Sequence, residues 1–266
     1  MTIKFAGIQL SGPGRILALT LFLCVNPASA RAQWMGRQTG CYAPKIEANP
    51  NRPTVANPAD ITQFGVLEVE YGWDRAWVGA GDRLTDLAGL LKFGLLCDVE
   101  LRWTPPALLH PSNEAGSQTG FGDNSFGAQV RFYRQTARVP TLAVSYAAKV
   151  PTASRVKGLG SGRLDHVVTF LASKDLYGTH FDFNASHFLI GKPAASGFDQ
   201  AAQLNLAFSH PLKGHLFITG EFYGTTELNA STPGFASMLS AVTYAITPQL
   251  VIDGGIDAGL THGAPQ

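Results

Sequence analysis

The sequence predicts an all-β protein, a transmembrane antiparallel up-and-down β-barrel of about twelve strands, eleven of them visible in the chain. Three observations lead there. Apolar and polar residues alternate with period two in segment after segment from Gln63 onward. The connectors between these segments are alternately long and short. Only 15% of the residues are charged, against about 25% in an average soluble domain, as a wall with one face in hydrocarbon requires. Composition also excludes other classes. A net charge of +1 lacks the concentrated basic surface of a nucleic-acid binder. The longest apolar run is about ten residues, half of what a spanning helix needs, so a polytopic helical membrane protein is excluded.

The first thirty residues are expected to be a signal peptide. Lys4 and Arg15 form a basic region, Ile16–Val25 an apolar stretch, and Ala28-Ser29-Ala30 the small residues that signal peptidase requires. Cleavage is expected after Ala30. Leu23, before Cys24, is too large for a lipoprotein site. Export to an oxidising compartment leaves Cys41 and Cys97, which either form a disulfide tying the arm to the barrel or remain two free thiols. Residues 31–62 hold Pro44, Pro50, Pro53 and Pro58 and show no periodicity, so an extended periplasmic arm is expected.

The barrel is expected over residues 63–266. In Leu67–Asp74 the odd positions are apolar and the even ones acidic or Gly. On a strand this gives one greasy and one polar face, whereas helical spacing would give neither. Thr85–Phe93 follows more weakly, with Leu87, Leu91 and Phe93 against Asp86 and Lys92. Val99–Trp103, Phe126–Tyr133 and Leu142–Val150 repeat the beat, while Asp165–Ser173 is mixed. His180–Ser186, Ala202–Ser209, Leu216–Tyr223, Phe235–Ile246 and Leu250–Leu260 complete the set.

The long connectors fall at 75–84, 104–122, 151–163, 189–200 and 224–234, the short ones at 94–98, 135–140, 174–178, 210–214 and 247–249. Such sorting is what strands running up and down through an outer membrane produce, and a soluble sandwich has no reason for it. Trp73 and Trp103, on the apolar side near the ends of two upward strands, are expected in an aromatic girdle at matching heights; packed core tryptophans are the alternative.

Closing the sheet turns the polar alternates inward, because an open edge in hydrocarbon leaves backbone groups unpaired. The expected pore-lining residues are Glu68, Glu70, Asp74, Glu100, Arg102, Gln129, Arg131, Lys149, Asp182, Asn184, Gln203, Asn205, Glu221, Asp253 and Asp257. Arg131 and Lys149 are expected to face each other across the turn between their strands. The charged band at Glu68, Glu70, Asp74, Glu100 and Arg102 would set up a transverse field across a lumen, or else form wall salt bridges. His180, Asp182, Asn184 and Ser186 share one face, and Ser, His and a polar orienter are hydrolase types. Residues two apart on a strand are about 6.6–6.8 Å apart, however, and a nucleophile needs its base within roughly 2.6–3.2 Å. Wall lining is therefore expected, no catalytic residue is assigned, and the protein is not expected to be an enzyme. No histidine pair has zinc spacing, and Gly158–Gly162 lacks the Lys-Ser/Thr of a phosphate loop, so no metal or cofactor is expected.

Asn51–Gly72 (NRPTVANPADITQFGVLEVEYG), Phe121–Arg134 (FGDNSFGAQVRFYR), Val150–Ser154 (VPTAS), Leu171–Leu176 (LASKDL), Thr219–Gly224 (TGEFYG) and Pro248–Leu260 (PQLVIDGGIDAGL) resemble the MetA-pathway of phenol degradation family, outer-membrane barrels labelled as transporters. The resemblance implies an outer-membrane channel linked to uptake of aromatic compounds, and brings no catalytic residues. It also implies a last descending strand with a terminal aromatic residue for the insertion machinery. Here only Thr261–Gln266 follow Leu260, fewer than the 9–11 residues a spanning strand takes. The expectation is a truncated reading frame, or an N-terminal arm that closes the seam.

The expected function is passive transport of small solutes, aromatic or hydrophobic compounds among them, through a narrow barrel gated by loop 104–122. The alternative is an envelope or adhesion barrel with no transport role. The expected partners are outer-membrane lipid, the solutes and the insertion machinery, and not nucleic acid.

Overall fold

The computed structural model describes residues 19–25, 45–78, 82–193, 195–229, 232–261 and 264. Among them are fifteen strands and no helix. They are β1 (Leu19–Val25), β2 (Leu67–Val78), β3 (Asp82–Leu96), β4 (Val99–Thr104), β5 (Leu108–Asn113), β6 (Gly116–Ser117), β7 (Gly120–Phe121), β8 (Asn124–Tyr133), β9 (Thr141–Val150), β10 (Asp165–Leu176), β11 (Thr179–Gly191), β12 (Phe198–Lys213), β13 (Leu216–Thr225), β14 (Phe235–Thr247) and β15 (Leu250–Gly259). Each of the eleven long strands from β2 to β15 pairs antiparallel with its neighbours along the chain, β4 passing directly to β8. All eleven segments of alternating sequence are strands.

The alternation sorts side chains to two faces. Phe132, Leu204 and Phe222 are more than half exposed on the outside, while Glu70, Lys92, Glu100, Gln129 and Glu221 are fully buried on the inside. This inverts a soluble protein, in which burial falls on apolar residues. An apolar exterior of this extent needs hydrocarbon around it.

The turn end of the sheet carries tight connections. Tyr177 and Gly178 both have positive φ, 51° and 78°, the geometry of a two-residue hairpin turn whose twist matches its strands. The loop end differs from expectation in two places. Residues 75–84 are mostly strand, since β2 runs to Val78 and β3 starts at Asp82. Loop 104–122 folds as a small hairpin, β5 pairing with the upper part of β3 at Arg83–Leu87 and with β6 and β7. The extension of β3 offers a free edge above the short β4, and β5 occupies it.

The seam is a finding of its own. β2 and β15, the first and last of the eleven, are both bonded to β1, with Leu19 opposite Trp73 and Thr20 opposite Asp253. With β1 the pairings run around a ring of twelve; without it the sheet of eleven is open between β2 and β15. β1 lies within the stretch read above as a signal peptide.

Trp73 and Trp103 are both on the outer face and over a third exposed. Their registers differ: Trp73 lies opposite Leu87 and Trp103 opposite Leu91, so they are offset along β3 and not level. Trp103 stacks on Phe126 with ring centres 6.3 Å apart, and its indole N–H donates to Asn124.

Candidate functional site

Residues 45–62, the described part of the extended periplasmic arm expected at 31–62, lie inside the barrel. The chain enters at the turn end, where the Ala48 N–H donates to the Pro248 carbonyl. It crosses the lumen and returns to the same end, where the Gly65 N–H donates to the Gly94 carbonyl, 2.8 Å. Gln63 Nε2 donates to the Lys45 carbonyl, 3.1 Å, so the two limbs meet. Asn51, Ala56 and Ala59 are fully buried.

A segment without periodicity cannot pair its backbone within a helix or sheet, yet buried N–H groups must be bonded. The wall supplies the partners through its polar alternates. Glu70 accepts the Asn51 N–H at 3.1 Å and Glu68 the Asn49 N–H at 3.2 Å. Glu221 accepts two successive N–H groups, Val55 at 2.6 Å and Ala56 at 2.7 Å, and is itself held by Asn205 Nδ2 at 2.8 Å. Asn184 accepts the Asn57 N–H and donates to its carbonyl, 2.7 and 2.8 Å. Gln129 Nε2 donates to the Pro58 and Ala59 carbonyls, Ser173 accepts the Ala59 N–H, and Glu100 accepts the Thr62 N–H. Each bond to a carboxylate contributes about 1.5–3 kcal/mol.

Charge balance within this grip comes from Lys92, whose Nζ lies 2.7 Å from Glu70 and 3.1 Å from Glu68. It also donates to the Asn49 carbonyl and to Asn51 Oδ1. Arg102 Nε binds Glu100 at 2.6 Å. Arg131 joins the segment to the wall, with Asp60 at 2.8 Å and Asp98 at 2.9 Å. Two glycines make room. A Cβ on Gly94 would lie 2.0 Å from the Gln63 carbonyl oxygen, and one on Gly72 would meet the Arg52 guanidinium.

Of the residues expected to line a pore, Glu68, Glu70, Glu100, Gln129, Arg131, Asn184, Asn205 and Glu221 thus converge on the inner segment. The others face inward elsewhere. Asp74 lies opposite Asp86 on β3. Asp253 is buried on β15, the Tyr223 hydroxyl donates to Asp257, and Gln203 donates to Asn205. Lys149 is at the loop end between Asp165, 2.6 Å, and Asp123, 3.2 Å.

Arg131 and Lys149 do not face each other. The register of β8 on β9 places Arg131 opposite Ala143 and Lys149 opposite Ser125, at opposite ends of the pair. Asp182 bonds Ser173 and His180, whereas Ser186 bonds Thr169; Ser186 and His180 sit apart, as strand spacing dictates. Cys97 is disulfide-bonded; Cys41, its expected partner, lies outside the described residues. Sequence reasoning left Lys92, Ser173 and Asp165 off the expected lining, though each lies on the polar register of its strand.

At the loop end the wall and its connectors are held together by other contacts. Asp123 accepts the N–H groups of Thr152 and Ala153, and Lys149 donates to Ser161, fixing loop 151–163 over the wall. Val167, Phe188, Ile190, Ala201 and Leu228 form a buried apolar cluster beside it.

No curated protein matches the sequence. Among solved structures, an outer-membrane channel from Pseudomonas putida F1 is similar, at 13% identity and a TM-score of 0.47, over 95% of this chain and 97% of that one. Residues 53–266, from the inner segment to the end of the wall, match the family described as MetA-pathway of phenol degradation, and the chain belongs to that family.

Proposed function

We propose that this protein is an outer-membrane β-barrel channel for passive movement of small solutes, aromatic or hydrophobic compounds among them, and that residues 45–66 hold it shut. One observation carries the reading: the large apolar side chains exposed along the wall face out, while Glu68, Glu70, Lys92, Glu100, Lys149, Asp165 and Glu221 are buried inside it. A wall of that kind suits lipid outside and a polar passage inside. The inner segment fits as a plug, because it is bonded to the wall almost wholly through side chains and enters and leaves at one end. Export by a leader and assembly by the outer-membrane insertion machinery belong to the same reading, and cleavage of the leader after Ala30 would remove β1 and leave the seam between β2 and β15 to be closed otherwise.

The buried ion pairs of Lys92 and Lys149 favour a second reading, a rigid envelope barrel that carries nothing. Planar-bilayer recordings on full-length protein separate the two. The Gly94→Val variant places a branched side chain against the Gln63 carbonyl, and so is expected to displace the stem of the plug. Wild type is expected to pass little current and Gly94→Val much more, with the folded barrel's gel mobility retained. Silence in both at every voltage removes the channel reading.

A further inference from the structure

Above the plug, the inner wall has a notch beside Gly127. A void of about 20 Å³ lies there, lined by Arg102, Thr104, Ser125, Ser145, Leu90 and Val167 among others, while a Cβ on Gly127 itself would meet the Tyr146 carbonyl oxygen of β9 at 2.4 Å. That is room for one water-sized group, since a single water needs about 10–15 Å³ on this measure. Carboxylates stand elsewhere around the lumen, at Glu70, Asp86, Glu221 and Asp253, but none lines this notch. The polar side chains among its lining residues are Arg102, Thr104, Ser125, Ser145 and Tyr146, and the Tyr146 hydroxyl is engaged with His166 instead. Arg102 is nine-tenths buried, and its Nε is committed to Glu100, which leaves the terminal amino groups as donors. The Ser125 hydroxyl is buried, 4% exposed, and has no hydrogen-bond partner. An unmet buried hydroxyl costs about 1–3 kcal/mol, and a donor set of guanidinium and hydroxyls, walled by aliphatic carbon, suits a compact negative charge.

We propose that the notch beside Gly127 binds a single compact anion of halide size between Arg102 and Ser125. Binding itself does not depend on current. Crystals of full-length protein soaked in sodium bromide test it by anomalous scattering. A bromide peak is expected between Arg102 and Ser125, weakened in Ser125→Ala and lost in Arg102→Gln. An empty notch, or a peak indifferent to both substitutions, overturns the proposal. Ser125→Ala removes one oxygen and keeps the Arg102–Glu100 pair, so it reports even where Arg102→Gln fails to fold. A protein that binds bromide yet stays silent in the bilayer keeps the site and loses the channel reading, so the two failures are distinct.

Discussion

The two halves of the lumen satisfy buried polarity in different ways. In the turn half, Glu68, Glu70, Glu100, Gln129, Asn184 and Glu221 spend their hydrogen bonds on the backbone of residues 49–62. In the loop half, Lys149 binds Asp165 and Asp123 of the wall and its connectors, and an apolar cluster packs beside them. The first set of partners can leave together, because one segment supplies them. The second cannot separate unless the wall itself deforms. The turn half is therefore where a passage can open, and the loop half is where the barrel keeps its shape.

The comparison can be broken first at Lys92. Lys92→Met leaves Glu68 and Glu70 buried without their cation, and removing one member of such a group costs about 3–5 kcal/mol. A clear fall in the urea midpoint of detergent-solubilised protein is expected, together with faster proteolysis of residues 45–66; an unchanged midpoint would mean that Lys92 holds neither. Lys149→Met strands Asp165 and Asp123 in the other half at a cost smaller than that, since Asp123 keeps its bonds to Thr152 and Ala153. Protease should then cut within 151–163 while 45–66 stays protected, and equal exposure of both segments would erase the distinction between halves. Glu221→Gln sharpens it. Replacing a carboxylate that accepts two backbone N–H groups weakens the plug's innermost anchor by about 1–3 kcal/mol. Deuterium exchange at Val55 and Ala56 is expected to accelerate while the strand amides keep their protection. The smallest effect belongs to Gly72→Ala. The group in the way is the flexible end of Arg52, so a change within about 0.5 kcal/mol is expected in the same urea titration. A large loss there would show that the Arg52 guanidinium has nowhere else to go.

The wall was legible because its side chains obey a local rule. Leu67–Asp74 announces its two faces within eight residues, and so does Leu142–Val150. Hairpin β5–β7 was not legible, since Leu108–Asn113 carries Pro111 and no alternation; it is a strand only because the edge of β3 is open beside it. The plug was invisible for a related reason. Its partners lie as far as 166 residues away in sequence, and nothing local in Asn49–Thr62 says that Glu221 will meet it. A signal was present in the wall: a row of acids on the inner face, with few cations among them, requires donors from elsewhere. The placement of Arg131 against Lys149 failed on distance from the turn, since Arg131 stands beside the 134–140 connector and Lys149 at the far end of β9.

Both limbs of the inner segment leave by the same rim, and Gln63 binds Lys45 where they do. Withdrawal then breaks no strand pairing beyond the stem at Gly65 and Gly94. The withdrawn stretch remains leashed to β2, so its return is a unimolecular event whose rate is independent of how much protein the membrane holds. On the proposed reading, a barrel built this way reseals itself after each excursion, without help from a second molecule.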